Sequence, residues 1–101
     1  MTFTPGPAMG SARYGCTAGR VDAQHVLVIG GQDPAYRALA TTELLDVATM
    51  EFSPGPTMQA GRYDFAAVLL DTAQGPQILV VGGNDCDVES LSTTEVLAVE
   101  N

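Results

Sequence analysis

Two stretches of this chain are near-copies of each other, and that repetition limits the fold more than any other feature. Phe3-Thr-Pro-Gly-Pro-Ala-Met9 returns as Phe52-Ser-Pro-Gly-Pro-Thr-Met58, and Arg13-Tyr14 returns as Arg62-Tyr63, each 49 positions later. Leu27-Val-Ile-Gly-Gly31 returns as Leu79-Val-Val-Gly-Gly83, and Thr41-Thr-Glu-Leu-Leu45 as Thr93-Thr-Glu-Val-Leu97, now 52 positions later. The three-residue difference is an insertion between residues 70 and 78. There Asp71-Thr-Ala-Gln-Gly-Pro76 reads as a turn, a place where added residues cost little. A repeat of this period is one supersecondary unit that buries its apolar face against a neighbour. The chain therefore divides into two units, 1–51 and 52–101, with no separate linker or low-complexity segment.

Within each unit the pattern is strands and turns. Tyr63–Leu70 and Gln77–Val81 are apolar runs of strand length bounded by Gly and Pro, and they read as strands buried on both faces. Val28, Ala67, Leu69, Ile78, Leu79 and Val80 are the expected core. Thr94–Val99 mixes polar and apolar residues more evenly, as suits a strand nearer the outside of a sheet. A short fourth strand surrounds Phe52, limited by Pro54, which cannot donate to a ladder. No segment carries a sustained 3.6-residue period with caps. Four antiparallel strands per unit, running from a buried inner edge to a wetter outer one, describe a propeller blade.

Composition excludes several classes of function. At 101 residues the chain has room for one small domain's worth of core. With 46% apolar and 16% charged residues it is too apolar for intrinsic disorder. Its apolar runs are too short to span a bilayer as a helix. Twelve acidic residues against four basic ones give a net charge of −8, which repels nucleic-acid phosphate and anionic lipid, so neither is an expected partner. All four cations are Arg, which rules out a lysine Schiff base or a P-loop lysine. The opening MTFTPGPAMG has no basic or apolar leader region, so the default expectation is a cytoplasmic chain. Cys16 and Cys86 are one widely separated pair and read as reduced thiols rather than a disulfide framework.

The ordered set of double glycine after an apolar strand, a later Thr-Glu-x-Leu strand, and Pro-x-Met followed by Arg resembles the kelch repeat, the blade of the kelch-type β-propeller. The resemblance covers essentially the whole chain. It departs from the usual pattern in placing Leu45 and Leu97 where a third-strand Tyr is common, and Phe3 and Phe52 where a fourth-strand Trp is common. It implies an all-β fold of two four-stranded antiparallel blades forming part of a propeller. The second blade would lack its outermost strand in cis, and the Phe3 strand would be phased as the outermost strand of a preceding blade. Two blades do not close a ring, so the resemblance also implies self-association into a larger propeller, the Phe3 strand of one copy completing the blade of the next.

Catalytic constellations are not supported: His25 is the sole histidine and stands at the start of a strand, away from a candidate nucleophile. One His and two distant Cys do not make a zinc site, and Asn84–Glu89 lacks the spacing of an EF-hand loop, so no metal or cofactor is expected. Binding is the better class. In a four-stranded meander the loops 32–40 and 84–92, with 6–12 and 55–61, emerge on one face. They offer Tyr36 and Arg37, types enriched at interface hot spots, and the acidic Asp85, Asp87 and Glu89. Arg13 and Arg62 open the first strand of each unit on that side. They are candidates for ligand contact, although a repeated Arg also suits pinning of loops by hydrogen bonds. The expected function is a non-enzymatic protein-interaction module. The alternatives are a piece of a kelch-like, oxidase-like enzyme whose catalytic residues lie outside this chain, or a purely architectural repeat protein.

Overall fold

In a computed structural model, residues 1–85 and 90–98 are described. Seven strands appear in them, and no helix: β1 Thr17–Arg20, β2 His25–Ile29, β3 Thr42–Asp46, β4 Glu51–Pro54, β5 Ala66–Thr72, β6 Gly75–Val81 and β7 Thr94–Ala98. They form two antiparallel sheets with strictly sequential order, β1-β2-β3-β4 and β5-β6-β7. The protein is all-β, and the boundary between the units 1–51 and 52–101 falls within β4, so the first sheet takes its outermost strand from the start of the second unit.

The ladders repeat in register. Leu27 lies between Gly19 and Leu44, and Val28 between Ala18 and Glu43; in the second sheet Leu79 lies between Val68 and Val96, and Val80 between Ala67 and Glu95. Period-two alternation then sorts each strand into two faces. Leu27 and Ile29 from the first sheet meet Phe65, Ile78 and Val80 from the second, with Val21 at the side. β1 lies against β5, and the Thr17 hydroxyl donates to the Phe65 carbonyl across the sheets at 3.3 Å. Pro54 pairs with Glu43 at the end of β4, an edge strand, where its missing N–H costs no ladder bond.

Three expectations need correction. Leu69 is 47% exposed, not core. It sits on the inward face of β5 but toward the Thr72–Gly75 turn, beyond the reach of the shorter β1. The strands of the second unit are not buried on both faces either: Val68, Val81 and Val96 are exposed on the outward side. The reason is that only one sheet is present to cover them. Finally, residues 1–9 form no strand, and the Phe3 side chain is fully exposed. Phe52 gains strand geometry by pairing with Leu45, and no strand stands in that position beside Phe3.

The insertion also behaves differently from a loop extension. Asp71 pairs with Pro76 and Thr72 with Gly75, so the added residues lengthen the β5–β6 ladder and leave a tight turn at Ala73-Gln74. Gly75 enters that turn at φ 107°, and the Thr72 hydroxyl donates to its carbonyl at 2.7 Å.

Candidate functional site

Among the described residues the repeated arginines have the most heavily bonded side chains. Arg62 donates through Nε and Nη2 to Glu95 Oε2 (3.3 and 3.1 Å), through Nη1 to the carbonyls of Gly82 and Thr93 (2.9 Å each), and through Nη2 to Thr93 Oγ1 (2.9 Å). Glu95 accepts in addition from the amides of Gln59 (2.6 Å) and Ala60 (3.1 Å). Arg13 makes the matching four bonds, through Nε alone to Glu43 Oε2 (3.1 Å), to the carbonyls of Gly30 (3.0 Å) and Thr41 (2.9 Å), and to Thr41 Oγ1 (3.0 Å). The amides of Gly10 and Ser11 complete the Glu43 cradle. Each guanidinium is a planar fork that spans a strand end, a diglycine and a carboxylate at once, a geometry lysine cannot reproduce.

These clasps lie out of water, the Arg13 and Arg62 side chains being 1% exposed. Burial pushes the Glu43 carboxyl up, but the Gly10 amide, the Arg13 guanidinium and the Ser11 amide outweigh it and hold it below the usual range. Glu95 behaves identically, burial being outweighed by the Gln59 amide, Arg62 and the Ala60 amide. Neither glutamate was singled out in the sequence reading, although Glu43 and Glu95 recur in the same register as the arginines and could have been paired with them. Functionally, both arginines are committed to holding the segments 10–13 and 59–62 on their sheets.

The loops that follow β2 and β6 emerge at one end of the molecule. Gly30 and Gly83 both abut Phe65, the Gly31 amide donates to the Arg62 carbonyl at 2.7 Å, and the neighbouring Tyr63 exchanges backbone bonds with Asn84. Both strand ends therefore converge on residues 62–65. From there the chain leaves as the loop 32–38, closed at its base by the Gln32–Ala38 bridge. Asp33 organises it: its carboxylate accepts from the amides of Ala35 (2.9 Å) and Arg37 (3.0 Å) and from Arg37 Nε (3.0 Å). The Arg37 amide, with the Ala35 amide and the Arg37 guanidinium behind it, holds the Asp33 carboxyl below its ordinary range against the opposing effect of burial. Tyr36 takes a left-handed φ of 64°, and its carbonyl accepts from Gln32 Nε2 at 3.1 Å.

The outcome is a pinned loop with outward side chains. Tyr36 is 76% exposed, and the Arg37 side chain projects from the same turn. Asp85 is half-buried in the equivalent loop; Asp87 and Glu89, with Cys86, lie outside the described residues. Cys16 is free. His25 opens β2 and contacts the Asp22 carboxylate at 2.9 Å, at the opposite end of the sheet from these loops. Among the described residues no group of three or more His, Cys, Asp and Glu is placed to hold a metal ion.

What the fold defines is an all-β protein of two stacked antiparallel sheets carrying an exposed, internally braced loop at one end. No protein-family model matches this chain, and no curated protein matches it.

Proposed function

We propose that this chain is a non-enzymatic, kelch-type interaction module, its two sheets serving as blades that carry a protein-binding surface at the loop end. The observation that carries the reading is the loop 32–38. Its backbone is fixed by Asp33 and Gln32, while Tyr36 and Arg37 point to solvent. Binding to such a loop loses little conformational entropy, because the turn is ordered before the partner arrives. Tyr and Arg are also the side chains that most often dominate protein interfaces. The net charge of −8 favours a partner with basic or neutral contact residues over nucleic acid. The kelch reading itself rests on the repeated motif, and the sequential antiparallel order of both sheets agrees with it.

Selection of peptides from a random display library against the immobilised chain tests this. Peptides that enrich should lose at least about tenfold in affinity for the Tyr36→Ala, Arg37→Ala double variant, with its unfolding midpoint unchanged. Peptides that bind the double variant as tightly as the parent chain would refute the placement of the surface.

A further inference from the structure

The internal sheet-on-sheet contact has a direction, and both of its halves occur a second time with no further sheet against them. Between the sheets, the first contributes Leu27, Ile29 and Thr42, and the second contributes Ile78, Val80 and Leu97. By the repeat, Leu27, Ile29 and Leu44 correspond to Leu79, Val81 and Val96, which form the outward face of the second sheet. Likewise Ile78, Val80 and Leu97 correspond to Val26, Val28 and Leu45, on the outward face of the first sheet. Val28 of the first sheet is 9% exposed beside an exposed Ala18, whereas on the second sheet exposure follows coverage rather than residue type. Ile29 is 2% exposed and its counterpart Val81 41%; Tyr63 is 8% exposed and its counterpart Tyr14 67%. Met58 packs on the core, whereas its counterpart Met9 is exposed.

We infer that the outward face of the second sheet docks on the outward face of the first sheet of another copy of this chain, continuing the internal contact in trans. A second copy is the occupant the molecule itself specifies, since it presents both halves of an interface already formed once within the chain. The contact is heterologous: the face built on Val68, Leu79, Val81 and Val96 meets the one built on Ala18, Val26, Val28 and Leu45, and no face meets itself. The groove beside Glu43, walled by Pro7, Ala8 and Phe52, corresponds to the one beside Glu95 that Leu27 and Ile29 fill. Leu79 and Val81 of the incoming copy fill it in the same way.

Two substitutions at exposed positions separate the faces. Val96→Asp places a charge on one face, from the edge strand β7, and Ala18→Asp on the other, from the edge strand β1, where the counterpart Ala67 packs on the internal core. Sedimentation velocity on the intact chain at micromolar concentrations should show species heavier than the 10.5 kDa monomer. Each variant should keep its strand circular dichroism and sediment as a monomer, and an equimolar mixture of the two should double the mass and go no further. Val68→Asp repeats the first arm should Val96→Asp not fold. A monomeric intact chain overturns the inference, as do variants that still associate or a mixture that stays monomeric. Neither substitution touches Tyr36 or Arg37, so failure here is distinguishable from failure of the loop-end binding surface.

Discussion

Replacing Arg62 by alanine is the sharpest perturbation the structure offers. The change removes five hydrogen bonds from a side chain that is 1% exposed, leaving the carbonyls of Gly82 and Thr93 and one oxygen of Glu95 short of donors. Removing one partner of a buried pair costs about 3 to 5 kcal/mol, because a charge is left desolvated and unpaired. The low end applies, since Glu95 retains the Gln59 and Ala60 amides and its side chain is 18% exposed, close enough for water to enter. A loss of about 3 kcal/mol is a large part of the roughly 5 to 15 kcal/mol typical of a small domain. With a urea dependence of about 2 kcal/mol per molar, the midpoint falls by about 1.5 M. Arg62→Lys keeps the charge without the fork and should lose about half as much, which covers the case of an alanine variant too unstable to measure. Urea titration followed by far-ultraviolet circular dichroism reads both. A loss below about 1 kcal/mol for Arg62→Ala would refute the reasoning, because surface ion pairs contribute no more than that.

Gly83→Ala should destabilise the chain by about 2 to 3 kcal/mol: the position has φ 89°, and an added Cβ would stand 2.8 Å from both Phe65 Cβ and the Tyr63 carbonyl oxygen. Gly6→Ala, with nothing within 4 Å of the added carbon, is the control and should leave the midpoint in place. Acid should weaken the fold through Glu43 and Glu95. Their folded pKa values lie below the ordinary 4.5, so the unfolded chain takes up protons first as pH falls. The stabilisation is complete above that range and drains away below it, and Glu95→Gln should flatten the dependence in urea titrations between about pH 5 and pH 3. Arg37→Ala should leave the midpoint of thermal or urea unfolding in place, its pair with Asp33 being largely open to water.

The strands and their order were legible because apolar runs, diglycines and prolines repeat, and repetition separates signal from accident. Phe52 and Pro54 already pointed to a short edge strand, which is β4. What repetition could not convey is coverage. Tyr14 and Tyr63 stand at the same position of the repeat, yet one is open and the other buried, since burial depends on the neighbouring unit. Leu69 failed as a core residue for a related reason: its inward direction was readable from alternation, but the length of the opposing strand was not. The arginine clasps were half legible. Their recurrence was evident, but the carboxylates that meet them lie 30 and 33 positions away in sequence, and only the ladder registers bring them together.

That difference of three residues shows how the structure separates what must be kept from what can vary. The second clasp spans a longer stretch of chain than the first, yet it makes the same bonds to the same kinds of group within a few tenths of an ångström. The extra residues enter at the Thr72–Gly75 turn, at the far end of β5 and β6 from Arg62, Gly82 and Thr93; with them the connection equivalent to residues 21–25 becomes three further whole pairs and a two-residue turn. Growth by whole pairs preserves the alternation of faces, so Ile78 and Val80 still point at the first sheet. A single residue added between Arg62 and Gly82 within the ladder would have turned that face outward. The clasp end is thus the fixed reference of each unit, and a loop anchored there, such as 32–38, inherits its rigidity.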